Sequence, residues 1–103
     1  VQTCALPISA NNLKITFDAS IVSTTDVKVY YRTWTGSPDL NKVPYIDTGF
    51  TVSSYEPDYT FTEKLIDLTD IPDFTNVSIK IVMKSTSGVK VPKIKNLRMI
   101  AYS

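Results

Sequence analysis

The chain has no histidine and a single cysteine, Cys4, among its 103 residues. Histidine is the commonest general base and the commonest metal ligand in proteins, so its absence removes the usual basis of acid–base and metal chemistry. Glycine is also scarce, with three residues in total, and neither a phosphate-binding loop nor the nucleophile motif G-x-S-x-G is present. We therefore predict a protein that is not an enzyme, with no catalytic residues, no cofactor and no metal site.

The chain also lacks an excess of charge of one sign and any long hydrophobic run. Lysine and arginine number 11 and aspartate and glutamate 10, for a net charge of +1. A nucleic-acid binder usually carries a stronger positive field, so no nucleic-acid partner is expected. No apolar run approaches the ~20 residues that span a bilayer, so no membrane partner is expected either. With 43% apolar residues, the composition is that of one globular domain.

The first eight residues, Val1–Ile8, form an unusual opening, because they include neither an initiator methionine nor the charged region of a signal peptide. Read back into codons, the whole octapeptide matches the end of a common sequencing-library adapter. We interpret residues 1–8 as a non-native leader. Residues 9–103 are then a single domain from the C-terminal part of a longer protein of metagenomic origin. The alternative is a genuine leading strand that carries Cys4.

From Asn12 onward apolar and polar residues alternate with a period of two, the pattern of half-buried β-strands. The clearest of these strands contains Val77, Ile79, Ile81 and Met83 and ends at a turn over Ser85–Gly88. A further strand is expected from about Tyr59 to Leu68, although Thr60 and Glu63 also fit the capping box of a short helix. The apolar sets predicted to share one side of each strand are Leu13, Ile15 and Phe17; Val27, Val29 and Tyr31; Val77, Ile79, Ile81 and Met83; and Leu97, Met99 and Ala101.

Short strands rich in β-branched and aromatic residues, separated by turns marked by proline and glycine, are typical of a sandwich or a barrel. Residues 43–52 are predicted to be a loop with short extended pieces. The long connection that contains them, between the strand at Val27 and the strand at Tyr59, favours a crossover between sheets over a simple meander. We predict an all-β domain, an antiparallel β-sandwich of jelly-roll or Greek-key type.

The alternation also gathers basic and aromatic side chains on the outside of the predicted sheets. When Val27, Val29 and Tyr31 point inward, the residues between them point outward. Such a surface fits contact with another protein or domain, an ordinary solvated face, or stacking on sugar rings. The candidate contact residues are Arg32, Trp34, Lys80, Lys84 and Arg98.

A carbohydrate-binding module is the alternative function, because aromatic side chains on a sandwich can form a platform for sugars. The aromatic residues of that hypothesis are Trp34, Tyr45, Tyr55 and Tyr59. Glycoside hydrolysis would need two facing carboxylates. The acidic residues of the loop-rich middle are expected to be ordinary surface groups; they are Asp47, Glu56, Asp58 and Glu63.

Two stretches carry a resemblance to a known family. They are DVKVYYR at Asp26–Arg32 and the closing stretch 77–101, in which SIKIVMKST is followed by VPKIKNLRMIA. From Asp26 to the end, the chain resembles a domain of virion structural proteins of tailed phages, namely tail and baseplate components of T-even-like myoviruses from aquatic environments. Related sequences usually carry aspartate where Asn96 stands here, and residues 37–56 match poorly.

The resemblance implies a non-enzymatic structural module of a phage tail or baseplate, made in the cytoplasm of the bacterial host and assembled into the virion. Its expected partners are other virion proteins or neighbouring domains of the same protein, with a homo-oligomer in the virion and a glycan as an alternative ligand. The family has no catalytic residues to transfer to this chain.

Overall fold

The computed structural model describes residues 1–86 and 88–103, which form two antiparallel β-sheets and one short 3-10 helix at Leu40–Lys42. The sheets have the strand orders β1-β6-β3-β4 and β5-β2-β7 and pack against each other. The predicted class, an all-β antiparallel sandwich, is confirmed. Within the turn predicted over Ser85–Gly88, Ser87 lies outside the described residues. The strands are β1 (Gln2–Ala10), β2 (Asn12–Ser20), β3 (Thr25–Trp34), β4 (Ile46–Asp47), β5 (Thr62–Leu68), β6 (Phe74–Ser85) and β7 (Lys93–Tyr102).

The chain changes sheet at every connection between the described strands except that from β3 to β4. The predicted crossover lies between β4 and β5, inside the long connection from Val27 to Tyr59. Strands β2 and β7 are neighbours in one sheet, and β3 and β6 are neighbours in the other. The connection from β2 to β3 therefore lies beside the connection from β6 to β7. This arrangement brings distant parts of the sequence into one core.

The core lies between the sheets and is built from the alternating positions that the sequence predicts. Phe17 of β2 is fully buried, and its ring meets that of Phe50 edge-on, with centroids 5.5 Å apart. The inward residues of β3 are also buried, and those of β7 are half-buried. Met83 departs from the prediction, since its side chain is 52% exposed. Met83 lies on the part of β6 beyond the pair of Gln2 with Ile79, where among the described residues only β3 lies beside β6.

Strand β5 begins at Thr62 rather than near Tyr59. Tyr59 has a φ of 62°, a left-handed conformation that an extended strand does not contain. A turn precedes the strand, in which the amide of Thr60 donates to the carbonyl of Pro57 at 3.0 Å. The alternative of a short helix from the capping box is not adopted, because residues 62–68 pair with β2 along their whole length.

The octapeptide Val1–Ile8 contributes most of β1, an edge strand. Residues Gln2–Ala5 pair with Ile79–Asn76, after which the register shifts before Ala10. Cys4 and Leu6 pack partly against the core. A backbone ladder forms between extended segments largely regardless of side-chain identity, so this pairing does not bear on the origin of the octapeptide. Its assignment as a translated adapter stays a prediction.

A β-bulge lies in β7 at Asn96, the position where aspartate is expected in related sequences. Three residues of β2, from Thr16 to Asp18, oppose four of β7, from Arg98 to Lys95. Within this bulge Asn96 has a φ of 56°, and its side-chain amide donates to Asp18 at 2.8 Å. Asparagine and aspartate both tolerate the left-handed conformation. Either residue therefore suits this bulge.

Candidate functional site

Strand pairing brings basic and aromatic side chains together on the outer face of the four-stranded sheet. Tyr30 of β3 lies directly opposite Lys80 of β6, and the next outward residues along β3 are Arg32 and Trp34. Tyr45, from the loop before β4, lies across them. We call these five residues the basic–aromatic surface: Tyr30, Arg32, Trp34, Tyr45 and Lys80.

Arg32 is held by aromatic rings and by loop carbonyls. Its guanidinium carbon is 4.5 Å from the ring centroid of Tyr45 and 5.7 Å from that of Trp34. Its Nη1 donates to the carbonyl of Leu40 at 3.0 Å and to that of Val43 at 3.5 Å. Its buried Nε has no partner within residues 1–86 and 88–103. Arg32 therefore fixes the loop after β3 onto the sheet, in addition to any outward contact.

Tyr45 links the two basic side chains. The Lys80 ammonium lies 4.4 Å from the Tyr45 ring centroid and 5.2 Å from that of Tyr30. The Tyr45 hydroxyl is hydrogen-bonded to the buried hydroxyl of Ser78, 2.9 Å away. Each cation–π contact contributes about 0.5–1 kcal/mol where exposed and more where water is excluded. The side chains of the basic–aromatic surface are therefore held in place by contacts with one another and with Ser78.

The remaining two candidate residues do not join this surface. Lys84 lies on the same face but near the other end of β3, opposite Asp26. Arg98 lies on the outer face of the three-stranded sheet, on the opposite side of the molecule. Its Nη2 is 3.4 Å from a carboxylate oxygen of Glu63 and 3.7 Å from one of Asp18. The five sequence-predicted contact residues thus divide between two faces.

The two outer faces differ in charge. In the three-stranded sheet the cations of the paired region lie beside carboxylates: Lys14 is opposite Asp67, Lys95 is opposite Asp18, and Arg98 is near Asp18 and Glu63. In the four-stranded sheet the outward positions carry four cations and two carboxylates. The excess of positive charge therefore lies on the face with the basic–aromatic surface. Its charged residues are Lys28, Arg32, Lys80, Lys84, Asp26 and Asp47.

The four aromatic residues of the carbohydrate hypothesis do not form one platform. Trp34 is at the last position of β3, whereas Tyr55 lines cavities at the first residues of that strand. At ~3.3 Å per residue, these two ends of β3 are roughly 30 Å apart. Tyr55 is 58% exposed and lies between cavities of about 400 and 600 Å³. Tyr59 is held separately, with the Lys93 ammonium 4.3 Å from its ring centroid.

Two carboxylates of the loop before β5, Glu56 and Asp58, are engaged in ion pairs with lysines. Glu56 lies 2.7 Å from Lys64 and also accepts from the Thr62 hydroxyl, and its side chain is 7% exposed. Burial alone raises the pKa of Glu56, but Lys64, Thr62 and the Ile21 backbone outweigh it and hold the pKa below its ordinary value. The exposed Asp58 pairs with Lys93 at 2.6 Å, which lowers the pKa of that carboxyl.

Within residues 1–86 and 88–103, no group of three or more His, Cys, Asp or Glu side chains is arranged to hold a metal ion. No helix in this part of the chain is long and apolar enough to cross a membrane. No family model, curated protein or solved structure matches the chain.

Replacing Arg32 with lysine is expected to lower the free energy of unfolding by about 1 kcal/mol, although the charge is kept. Lysine has no planar fork, so it cannot reach the carbonyls of Leu40 and Val43 while lying against the rings. Chemical denaturation measures the loss, and amide exchange at Val43, which donates to Leu40 at 3.2 Å, reports loosening of the loop. The control is Lys28→Arg on the same strand and face. Equal, negligible effects of the two variants would contradict the anchoring role of Arg32.

Proposed function

We propose that this chain is a non-enzymatic interaction module that docks onto an acidic protein surface through the outer face of its four-stranded sheet. The observation that carries the proposal is the charge difference between the faces. The four-stranded face carries four cations and two carboxylates, together with three aromatic rings, whereas the cations of the opposite face lie beside carboxylates. Complementary charge steers association and fixes the orientation of the partners.

The residue types of this face support docking rather than mere solvation. Tryptophan, tyrosine and arginine are the residues most enriched among those that dominate binding energy at protein interfaces. Trp34 and Tyr45 are both half-buried, and cation–π contacts restrict their rings. A partner would therefore order fewer side chains on binding, which lowers the entropic cost of association.

We further propose that the assembly is the tail or baseplate of a phage virion, with other virion proteins or neighbouring domains of the same protein as partners. This part rests on the resemblance carried by Asp26–Arg32 and by residues 77–101. A structural role without catalysis agrees with the missing histidine and with loop carboxylates engaged by lysines.

The test is co-expression of the chain with the tail and baseplate proteins encoded beside its gene, followed by light scattering and calorimetry on any complex. Lys28→Glu reverses a charge in the centre of the four-stranded face and is expected to weaken binding about ten-fold. Trp34→Ala is expected to weaken it by roughly thirty-fold or more, as for an aromatic residue that dominates the binding energy of an interface. The matched control is Lys14→Glu, the same charge reversal on the opposite sheet.

Binding that is lost with Lys14→Glu and kept with Lys28→Glu would overturn the assignment of the face. A gene neighbourhood without tail, sheath or baseplate genes would overturn the virion assignment.

The second candidate function, glycan binding, is favoured by one observation. Tyr55 is 58% exposed between two surface cavities whose walls include the polar residues Ser23, Asp58 and Lys84. An exposed ring beside such groups suits stacking on a sugar with hydrogen bonds to its hydroxyls. A glycan array probed with the chain and with Tyr55→Ala separates the two functions. Binding that Tyr55→Ala abolishes and Trp34→Ala leaves intact would favour the glycan function.

A further inference from the structure

Tyr55 presents an exposed ring at the end of the sandwich where the connections before β3, β5 and β7 meet. It is 58% exposed and lines two cavities, of about 400 and 600 Å³. The wall of the smaller cavity takes Ser23 from the connection before β3, Asp58 from that before β5 and Lys90 from that before β7. Pockets of roughly 300–1,000 Å³ hold small organic ligands. The smaller cavity, which we call the Tyr55 cavity, is large enough for one.

The backbone beneath the ring is held to the end of β2. The Glu56 amide donates to the carbonyl of Ile21 at 2.9 Å. The Ser20 hydroxyl donates to the carbonyl of Pro57 at 3.2 Å. The residues that follow Tyr55 are therefore fixed, although its own ring faces solvent. A ligand that stacks on this ring orders little of the chain as it binds, which keeps the entropic cost of binding low.

The two carboxylates in the wall of the Tyr55 cavity are each matched by a lysine from outside that wall. Glu56 pairs with Lys64 at 2.7 Å, and Asp58 pairs with Lys93 at 2.6 Å. Each pair is neutral as a whole. The acidic residues therefore give the cavity little net negative charge, and its charge is set by the remaining charged residue of the wall, Lys90.

Lys90 supplies a positive charge that is held in position. Its ammonium donates to the hydroxyl of Ser23 at 3.2 Å, and the ion pairs of residues 1–86 and 88–103 do not include it. The larger cavity differs, because its lysine, Lys84, lies opposite Asp26 in the strand pairing. The excess of positive charge around Tyr55 therefore lies at Lys90.

We propose that the Tyr55 cavity binds an anionic saccharide, with a face of one sugar ring against Tyr55 and a carboxylate or sulfate group of the sugar at the Lys90 ammonium. The ligand class depends on the second candidate function above, glycan binding, and adds to it the charge of the sugar. The C–H groups on the face of a sugar ring pack on an aromatic ring, and its hydroxyls hydrogen-bond to polar groups of the wall. A hydrogen bond between an ammonium and an anion is stronger than one to a neutral hydroxyl. The cavity therefore selects an acidic sugar over its neutral counterpart.

The test is an NMR titration of the chain with the methyl glycosides of glucose, galactose and mannose. Each sugar is used in its neutral form, as the uronic acid, and as the ester in which the primary hydroxyl is sulfated. We expect an anionic form to bind about five-fold more tightly than the neutral form of the same sugar. Shifts are expected at the amides of Ser23, Tyr55 and Lys90. The preference should shrink in high salt, which screens the charge of an exposed lysine.

Three variants assign the roles of the residues around the ring. Lys90→Gln should remove the preference for the anionic form and leave neutral binding unchanged, because glutamine keeps a hydrogen-bond donor without the charge. Tyr55→Ala should abolish binding of both forms. The matched control is Lys84→Gln, the same change in the wall of the larger cavity, which should keep the preference. Unchanged amide shifts in the core strands show that each variant is folded.

An anionic preference that Lys90→Gln removes and Lys84→Gln keeps supports the proposal. Equal binding of neutral and anionic forms, abolished by Tyr55→Ala, overturns the anionic ligand and leaves the glycan function standing. A preference that only Lys84→Gln removes places the anion in the larger cavity and overturns the role of Lys90. Absence of binding by every glycoside at millimolar concentration overturns the anionic ligand and the glycan function together. Trp34→Ala should leave sugar binding unchanged, which separates this test from that of the docking face.

Discussion

Replacing Phe17 with alanine is expected to lower the free energy of unfolding by about 3–5 kcal/mol, a large fraction of the roughly 5–15 kcal/mol of a typical domain. Phe17 is fully buried at the centre of β2, with its ring edge-on to Phe50. Strand β2 is the central strand of the three-stranded sheet, paired to β5 on one side and β7 on the other. Both neighbours hinder collapse around the missing ring, so a cavity remains.

Urea unfolding followed by tryptophan fluorescence and circular dichroism measures this loss. The matched control is Leu65→Ala, an apolar truncation in the same sheet at a side chain that is 58% exposed. Its effect should stay within about 0.5 kcal/mol, as for other exposed sites. A loss below about 1 kcal/mol for Phe17→Ala would contradict the position of the core.

Replacing Glu56 with glutamine is expected to cost about 2–3 kcal/mol at neutral pH, because it leaves the Lys64 ammonium without its anionic partner. The Glu56 side chain is 7% exposed and that of Lys64 is 20% exposed, so water compensates the lost pair only in part. The backbone amide of Glu56 also donates to the carbonyl of Ile21 at 2.9 Å. The pair therefore attaches the loop before β5 to the end of β2.

The pH dependence of this pair follows from the direction of its pKa. The pKa of Glu56 lies below its ordinary value of 4.5, so the folded state favours the ionised form. The stabilisation is fully present above the pKa of the unfolded chain and is lost as the pH falls through the lower pKa of the folded state. Unfolding free energies of wild type and Glu56→Gln should therefore converge in acid and stay apart near neutral pH.

The control for this prediction is Asp58→Asn, which breaks the ion pair with Lys93. Its N–O distance is 2.6 Å, similar to that of the Glu56 pair, but the Asp58 side chain is 57% exposed. Exposed pairs contribute little, so the change is expected to be much smaller than that of Glu56→Gln. A constant difference between wild type and Glu56→Gln across the acidic range would show that the effect of Glu56 is not electrostatic.

Much of the fold could be predicted because strand alternation is a local property of the sequence. The inward positions of β2 and β3 are buried as predicted, and the loop over residues 43–52 contains only a short strand. The structure departs from the prediction at Met83 and at the start of β5. Met83 is exposed on the part of β6 beyond its pairing with β1. The strand expected from Tyr59 starts later because Tyr59 adopts a left-handed turn conformation.

The candidate site was predicted in part, for the same reason. Alternation alone shows that Arg32 and Trp34 point outward from one strand, and that Lys80 points outward from another. The residues around Tyr45 in the sequence do not predict that its ring lies between Arg32 and Lys80. That position depends on how the loop after β3 folds back over the sheet. The separation of Arg98 from the other candidates follows from its strand belonging to the other sheet.

The alternation in the sequence is sufficient to predict that the protein is built from strands, which side chains of those strands enter the core, and which point outward. Which strands are neighbours, and with them the charge of each outer face, depends on how the two sheets assemble. Backbone hydrogen bonds are the same for nearly every residue, so a strand's own side chains specify its buried side but say little about the strand beside it.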